Sequence, residues 1–233
     1  NSIQDNTGSL GFTGYGGGVF IGNVPATLSG NFLGENTAST GYDGYGGGLR
    51  AEGGVQTLSD NTIQYNVAST ADHGVGGGLS FGNDYDTVTT LTFTGNAVRN
   101  NTGSTAPTNS SRLKSGAGGV DLRLTGGTMS DNVFTGNIGA TAQSADCGGV
   151  AIDADNRVPL SLTDNTIEGN NASTATSGGS GGGLCASGNV VVSGNRILNN
   201  RAATAGGGNG GGVMLGAGLR DTSAGGATTF SGN

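Results

Sequence analysis

The feature that most constrains this chain is a pair of asparagines separated by four residues, which recurs seven times. Successive first asparagines are 30, 30, 35, 36, 33 and 30 residues apart, and a further step of 38 residues reaches Asn233. A glycine cluster follows each pair at a nearly constant distance. Such a period predicts stacked, equivalent units. The pairs are Asn1/Asn6, Asn31/Asn36, Asn61/Asn66, Asn96/Asn101, Asn132/Asn137, Asn165/Asn170 and Asn195/Asn200.

Apolar residues alternate with polar ones in three short segments of every repeat. In one repeat, Leu49 and Ala51 follow the glycines, Leu58 precedes the first asparagine, and Ile63 lies between the two asparagines. This alternation, bounded by Gly, Asn and Asp, is typical of strands with one buried face. We predict an all-β fold for residues 1–233: one right-handed, single-stranded parallel β-helix (solenoid) domain. It should have about seven coils of 30–38 residues and three short strands per coil.

The asparagines and glycines are interpreted as corners between these strands. Asn tolerates left-handed backbone conformations and bonds local backbone groups, and stacked Asn side chains can bond to one another. The glycines are expected at a turn that needs positive φ or close backbone contact. Small pairs such as Ala68-Ser69 indicate another tight corner. A structural role is assigned to Asn31, Asn36, Asn61, Asn66, Asn96, Asn101, Asn132, Asn137, Asn165, Asn170, Asn195 and Asn200.

Charge and composition exclude several classes of partner. The net charge is −7, and Lys114 is the single lysine. Nucleic-acid binding requires a basic surface, so we expect no nucleic-acid partner. No apolar run approaches the roughly 18 residues of a membrane-spanning helix, so no direct membrane insertion is expected. Although 51 residues are glycine, aliphatic residues recur at fixed places, which favours order over disorder.

Two short motifs carry a family resemblance. The segments "FTGN" at 93–96 and "FSGN" at 230–233, with the variants "LSGN", "LSDN" and "LTDN", alternate with Gly-Gly-Gly-Leu/Val steps. This pattern resembles the right-handed parallel β-helix repeat proteins of bacterial surfaces, including the polymorphic outer-membrane-protein type, with a pectin-lyase-like architecture. The resemblance covers nearly the whole chain and implies secretion and an adhesin-like role. We accordingly expect a non-enzymatic stalk, fibre or surface scaffold, extracellular or at the cell surface.

The first and last residues, Asn1 and Asn233, both fall on a first asparagine of the repeat. No amphipathic helix or charged edge covers either end in the sequence. Open solenoid ends expose backbone groups that template pairing with another chain. We expect either continuation of the same chain as a longer solenoid or head-to-tail self-association into a filament.

A double column of hydroxyl side chains is predicted to face outward on the strand before each first asparagine. A flat Thr/Ser ladder resembles the surface of ice-binding β-solenoids and could meet a crystalline polysaccharide. Alternatively, Ser and Thr simply suit solvent-facing strand positions. Ser replaces Thr at about half of these positions, which disfavours ice binding. The candidate binding residues are Thr27, Ser29, Thr57, Ser59, Thr92, Thr94, Thr128 and Ser130.

Aromatic residues occupy matching positions in "GFTGYGGG" and "GYDGYGGG" of the first two coils. Tyr15, Tyr42 and Tyr45 are candidates for stacking on the sugar rings of a glycan partner, or they only cover the corner. His73 is the single histidine and is assigned to a solvated loop.

The alternative function is a polysaccharide lyase or glycoside hydrolase acting on acidic polysaccharide. Such enzymes use clustered carboxylates, with Ca²⁺ or as acid and base. The candidates are Asp121, Asp153, Asp155 and Arg157, although the pectin-hydrolase signatures of paired Asp, Gly-His-Gly and Arg-x-Lys are missing. Arg123 shares a slot with Asp153 in the adjacent coil, so the competing interpretation is an ion pair worth about 0–1 kcal/mol.

The two cysteines are predicted to be unbridged. Cys185 lies four slots after Cys147 in the next coil, about 13 Å away at 3.3 Å per residue. This exceeds the roughly 7 Å Cα separation that a disulfide tolerates. One histidine permits no Ser-His-Asp triad or His-based metal site. Ca²⁺ binding lacks a motif with suitable spacing, so no cofactor is expected.

Overall fold

The computed structural model describes residues 1–82, 89–107, 115–154, 157–216 and 228–233. These residues form 34 strands and no helix. Corresponding strands of successive coils lie side by side and pair in parallel, as in the step from the first coil to the second. The chain therefore winds through stacked coils, and the predicted all-β parallel β-helix is confirmed.

The largest sheet has 13 strands and combines two of the predicted strand types. One type follows the glycines and the other precedes the first asparagine; in the fourth coil they merge into one strand. The first type comprises β4 (Val19–Gly22), β9 (Leu49–Glu52), β14 (Leu79–Phe81), β19 (Val120–Ser130), β23 (Val150–Ala154), β28 (Leu184–Ser187) and β33 (Val213–Leu215). The second comprises β5 (Ala26–Ser29), β10 (Gly54–Ser59), β15 (Thr89–Thr94), β24 (Leu160–Thr163), β29 (Val190–Ser193) and β34 (Thr228–Ser231).

Two seven-stranded sheets flank the second asparagine of each pair. The predicted strands between the asparagines are β1 (Ser2–Gln4), β6 (Phe32–Gly34), β11 (Thr62–Gln64), β16 (Ala97–Arg99), β20 (Val133–Thr135), β25 (Thr166–Glu168) and β30 (Arg196–Leu198). The strands after the second asparagine are β2 (Thr7–Ser9), β7 (Thr37–Ser39), β12 (Val67–Ser69), β17 (Thr102–Ser104), β21 (Ile138–Ala140), β26 (Asn171–Ser173) and β31 (Arg201–Ala203).

Short strands before the glycines form a three-stranded and a four-stranded sheet. They are β3 (Gly14–Tyr15), β8 (Gly44–Tyr45) and β13 (Gly74–Val75), then β18 (Ser115–Ala117), β22 (Ala145–Cys147), β27 (Gly179–Ser180) and β32 (Gly208–Asn209). The structure thus adds two short strand types to the three predicted. Ala68-Ser69 belongs to a strand and not to a corner. The buried Ser69 hydroxyl oxygen starts the following turn by accepting hydrogen bonds from the backbone of Ala71 and Asp72 (3.1 and 3.0 Å).

Equivalent apolar residues pack on one another along the axis and form the core. Leu58 is in register with Leu28 on one side and Phe93 on the other, and Phe93 is in register with Met129. Leu58, Phe93 and Met129 are at most 1% exposed. Burial of each such side chain stabilises the fold by about 1.5–3 kcal/mol. The predicted coil-to-coil alignment of these positions is confirmed.

The paired asparagines form two continuous hydrogen-bonded ladders, which we call the asparagine ladders. Each side-chain Nδ2 donates to the Oδ1 of the equivalent asparagine in the next coil, at 2.8–3.2 Å in the first ladder and 2.9–3.0 Å in the second. The first runs from Asn1 to Asn233 and the second from Asn6 to Asn200. The predicted stacking of asparagines along the axis is confirmed.

Each inner asparagine side chain also bonds the backbone of its neighbours. Asn61 Nδ2 donates to Leu28 O (2.9 Å) and to Asn96 Oδ1 (2.9 Å). Its Oδ1 accepts from the backbone and side-chain nitrogens of Asn31 (2.9 and 3.0 Å). Both donor hydrogens and both lone-pair directions are therefore used, which allows the amide to be 2% exposed without an unsatisfied polar atom.

The left-handed residues at these corners are the ones that precede the ladder asparagines, which corrects the expectation for asparagine itself. Glu35 (φ 57°), Asp60 (φ 56°) and Tyr65 (φ 56°) adopt this conformation, whereas the ladder asparagines that follow them do not. The ladder position is set by side-chain hydrogen bonding, and the turn strain is carried one residue earlier.

The glycine clusters are required by close contact between backbones. A Cβ on Gly47 would lie 2.2 Å from Gly77 O and 2.6 Å from Val67 O, so no other residue fits. The preceding Gly46 has a φ of 67°, as expected for a glycine turn. Cys147 occupies this first slot in a later coil and does not have positive φ.

Cys147 and Cys185 form a disulfide with Cα atoms 6.0 Å apart, so the prediction of unbridged cysteines is wrong. The slot assignment is correct, because Cys185 pairs with Ala151, four positions after Cys147. The distance was overestimated because the chain turns at Gly148–Gly149 instead of continuing as a straight strand. Ala151 is thereby folded back toward Cys147, and both cysteines are fully buried.

Candidate functional site

Two rows of in-register residues, which together we call the crease, lie on either side of the glycine turns. In the first two coils, the residue before the glycines contacts a side chain of the strand that follows them. Tyr15 and Phe20 have ring centroids 6.3 Å apart, and the Arg50 guanidinium lies 5.5 Å from the Tyr45 ring centre. One wall consists of Tyr15, Tyr45, Val75, Gly116, Asp146, Ser180 and Asn209. The other consists of Phe20, Arg50, Ser80, Asp121, Ala151, Cys185 and Met214.

The crease is aromatic in the first two coils. Tyr15 and Tyr45 stack with ring centroids 5.3 Å apart and an interplanar angle of 13°. Phe20 is inclined to Tyr15 by 58°, and these two side chains are 52% and 47% exposed. Tyr42 is exposed and joins none of the ring contacts in the described part of the chain. The structure therefore brings together two of the three predicted tyrosines and adds Phe20.

Arg50 is fixed in the crease beside these rings. Its Nη1 donates to Ser80 Oγ (2.6 Å), and its Nε and Nη2 both donate to Glu52 Oε1 (3.3 Å each). Only 5% of Arg50 is exposed. Burial lowers the pKa of Arg50, and the Glu52 carboxylate opposes this shift. Arg50 and Glu52 thus form an ion pair that is held in place by hydrogen bonds and has no net charge beside Tyr45.

His73 is fully buried, so its assignment to a solvated loop is wrong. Its ring meets the edge of Tyr45, with centroids 6.2 Å apart. Burial raises the pKa of the Asp43 carboxyl, and the Asp72 carboxylate raises it further, whereas a hydrogen bond from the His73 backbone lowers it. Asp43 Oδ1 is buried without a hydrogen-bond partner among the described residues.

The crease becomes acidic in the fourth and fifth coils. Asp121, Arg123, Asp146 and Asp153 line a shallow depression there. Arg123 Nε lies 3.9 Å from Asp121 Oδ1, and Asp153 Oδ1 accepts a hydrogen bond from Ser187 Oγ (3.0 Å). Arg123 and Asp153 are in register in adjacent coils, which confirms their predicted shared slot.

The structure brings two of the four candidate catalytic residues, Asp121 and Asp153, into this depression. Arg157 is exposed, and Asp155 lies outside the described residues. Asp146 was not among the residues predicted from the sequence. It shares a slot with Tyr15 and Tyr45, but the sequence did not reveal that this slot faces the next strand.

This acidic segment has part of the chemistry of a polysaccharide-active site. Asp153 lies in the coil after Asp121 and two residues further along the strand, so their Cα atoms are about 8 Å apart. Within the described ranges, no group of three or more His, Cys, Asp or Glu side chains is arranged to hold a metal ion.

The predicted hydroxyl columns are in register on the outer side of the largest sheet. Thr57 pairs with Thr27 and Thr92, and Ser59 Oγ donates to Ser29 Oγ at 3.0 Å. Val191 takes a hydroxyl position in the sixth coil and is 38% exposed. The columns therefore form a regular but chemically mixed surface. The remaining candidates follow the same register: Thr94, Thr128 and Ser130.

No protein-family model, curated protein or solved structure matches this chain. The described residues contain no helix with the length and apolar character needed to cross a membrane. The chain's own geometry therefore establishes the architecture, and the asparagine ladders and the crease are the features that bear on its function.

Proposed function

We propose that this chain is a non-enzymatic structural element of an extracellular or cell-surface protein, acting as a stalk, fibre or adhesin-like scaffold. The observation that carries the proposal is the pair of asparagine ladders. Both ladders continue across repeats of 30 to 36 residues, and the first ladder also crosses a repeat of 38 residues. A core that is held in the same way at every level can display different loops from one rigid rod.

The disulfide supports the extracellular location. Cys147 and Cys185 link the fifth and sixth coils, and such bonds persist in oxidising compartments such as cell surfaces and secreted material. The motifs "FTGN" and "FSGN" support the finer assignment to the class of bacterial-surface β-helix repeat proteins.

The expected partner is another β-helix segment, either more of the same chain or a second copy joined head to tail. The ladder bonds have a direction, because Nδ2 of each coil donates to Oδ1 of the next. Two segments can therefore continue the ladders only in the head-to-tail orientation. Sedimentation velocity over a concentration series would detect such self-association as growth in steps of whole chains.

A pulling experiment tests the load-bearing role. The chain, held by its two ends in optical tweezers, should resist as one cooperative unit because every coil is bonded to its neighbours by the same ladders. The Asn101→Ala variant should unfold at clearly lower force, and the exposed Asn23→Gly variant should behave as the parent. Release of single coils at low force in the parent chain would contradict the proposal.

The acidic segment of the crease favours a second candidate, a polysaccharide lyase or glycoside hydrolase. Asp146 adds a third carboxylate to Asp121 and Asp153, and Arg123 supplies a group that could hold an anionic sugar. Assays of reducing ends and of unsaturated uronate on acidic polysaccharides would report either reaction. Turnover that Asp153→Asn abolishes and the exposed control Asp131→Asn retains would overturn the scaffold proposal. Absence of turnover across the panel would remove the enzyme.

A further inference from the structure

The hydroxyl columns on the outer side of the largest sheet carry no charged side chain. The strands between the asparagines differ, because their outward positions include Arg99, Glu168 and Arg196. In a chain with a net charge of −7, the columns are therefore an uncharged strip. From the first coil to the sixth, the outward pairs are Thr27/Ser29, Thr57/Ser59, Thr92/Thr94, Thr128/Ser130, Ser161/Thr163 and Val191/Ser193.

The strip is exposed in coils that have a neighbour on both sides. Thr92 in the third coil lies between Thr57 and Thr128, and both Thr92 and Thr128 are exposed. Val55, two residues before Thr57, is 52% exposed, and Val191 in the sixth coil is 38% exposed. The exposure is therefore a property of the sheet and does not depend on the ends of the rod.

Part of the hydrogen-bonding capacity of these hydroxyls is used within the chain. Ser59 Oγ donates to Ser29 Oγ (3.0 Å), and the hydroxyl oxygens of Thr94 and Ser130 are 3.4 Å apart. Removing a polar group from water costs less when the group keeps a hydrogen bond. The columns can therefore be covered by a partner at a lower cost than free hydroxyls, and the threonine methyl groups add apolar area to the contact.

Acidic residues border the strip along one side. Asp60, Asp131 and Asp164 each follow the last column residue of their strand, and all three are exposed. Like charges placed opposite one another across an interface are strongly unfavourable. A two-fold axis parallel to the rod puts the acidic borders of two facing copies on opposite sides of the contact, whereas antiparallel rods bring these borders together. The charges therefore favour parallel rods.

The strip is large enough for a weak pair of copies. Six coils at about 4.8 Å and strands of up to six residues at about 3.3 Å give a surface of about 600 Å² on each copy. Two copies would bury about 1,200 Å², which is the lower limit of specific protein interfaces. Flat sheets pack face to face about 10 Å apart, and the small side chains of the columns permit this approach.

We infer that two copies of this chain pair side by side through the hydroxyl columns, with their rods parallel. This lateral contact goes beyond the scaffold role and does not depend on it, because head-to-tail joining uses the ends of the rod. Repulsion between two chains of net charge −7 opposes the pairing. The pair should therefore form more readily at about 0.5 M than at about 0.05 M salt, which is the opposite of an interface held by ion pairs.

The experiment follows the full chain by sedimentation velocity and small-angle X-ray scattering from about 10 to about 500 µM. Side-by-side pairing increases the radius of gyration of the cross-section and leaves the rod length unchanged, whereas head-to-tail joining increases the length. Thr92→Glu adds a carboxylate to each copy in the middle of the contact and should weaken pairing at least about tenfold. Thr62→Glu is the matched control, because it adds the same charge at an outward position of another sheet. It should leave the pairing constant within about twofold of the parent value.

Both variants should keep the parent melting temperature, because both positions lie on the outer side of the rod, so that lost pairing is not unfolding. Monomers at every concentration and salt, growth in rod length alone, or equal pairing in the two variants overturns the proposal. Growth in length alone leaves the scaffold proposal standing, so the two failures are distinguishable. Retention of a chain that does not pair on insoluble cellulose would assign the columns to a polysaccharide and also overturn the proposal.

Discussion

The asparagine ladders and the crease belong to the same coils but differ in how they use the repeat. Along the ladders, every coil places the same residue type in the same hydrogen bonds. Along the crease, the outward slot changes from Phe20 to Arg50, Ser80 and Asp121, and then to Ala151, Cys185 and Met214. The repeated positions are those where only one side chain satisfies the backbone of the neighbouring coils. The crease does not have this constraint and is free to vary in chemistry.

The most damaging change should be in the glycine turns. In Gly47→Ala, the new Cβ would overlap Gly77 O at 2.2 Å, and backbone atoms of the stack cannot move aside. We expect a loss of more than about 5 kcal/mol in the free energy of unfolding, or failure to fold, measured by urea denaturation. Gly11→Ala has no atom within 4 Å of its Cβ and should change stability by less than about 0.5 kcal/mol.

Removal of one ladder rung should have the next largest effect. Asn101→Ala leaves four buried groups without this partner: the two nitrogens of Asn66, Ile63 O and Asn137 Oδ1. Unsatisfied buried groups cost about 1–3 kcal/mol each, so we expect a loss of about 4 kcal/mol. Asn23→Gly, an exposed left-handed asparagine outside the ladders, is the control and should be nearly neutral. A loss below about 1 kcal/mol in Asn101→Ala would show that the ladder contributes little to the free energy of unfolding.

The disulfide is an exception to the division between ladder and crease, because Cys185 belongs to the crease and yet its bond to Cys147 stabilises the fold. Cys147 and Cys185 are separated by 38 residues, and closing a loop of that length stabilises the fold by about 4 kcal/mol. The Cys147→Ala/Cys185→Ala variant should lose about this amount in chemical denaturation. Reduction of the parent chain should reproduce the loss, and an unchanged midpoint after reduction would contradict the linkage.

The smallest effect concerns Asp43, which lies beside the aromatic segment. Burial and the Asp72 carboxylate raise its pKa above the ordinary value of 3.8. The folded state therefore holds this proton more tightly than the unfolded state, and stability falls as pH rises through the folded pKa. Asp43→Asn should gain less than about 0.5 kcal/mol at neutral pH, because solvent screens this partly exposed group, and nothing below pH 3.8. An NMR titration of the Asp43 carboxyl carbon that gives an ordinary or lowered pKa would contradict this.

The sequence predicts the ladders and the core well, because both depend on residues that recur in phase. Leu58 and Phe93 are predicted to stack, and Asn61 and Asn96 to form a ladder, from spacing alone. Tyr65 could not be assigned its left-handed conformation in this way, because no propensity of tyrosine favours it. The strand type that includes Ser69 was missed because its buried residues, Ala68 and Ser69, are small and lack the large apolar side chain that marks the other strands.

The crease could not be predicted, because it depends on an angle and not on a spacing. Alignment places Tyr45 and Arg50 five residues apart, or Cys147 four slots before Cys185, without indicating that the chain turns sharply between them. Distances calculated for a straight strand are valid within a sheet, but they overestimate the separation of residues on two sides of a glycine corner. Candidate sites in such repeats are therefore better sought on both sides of each corner.

The most direct test of the division between ladder and crease compares the unfolding free energies of two variants, Asn101→Ala and Phe20→Ala, in urea denaturation. Asn101→Ala removes a shared partner of four buried groups and should lose about 4 kcal/mol of stability. Phe20→Ala changes a position of the crease and should lose only about 1 kcal/mol, because half of this side chain is already exposed. A loss in Phe20→Ala as large as that in Asn101→Ala, or no loss in Asn101→Ala, would contradict the account.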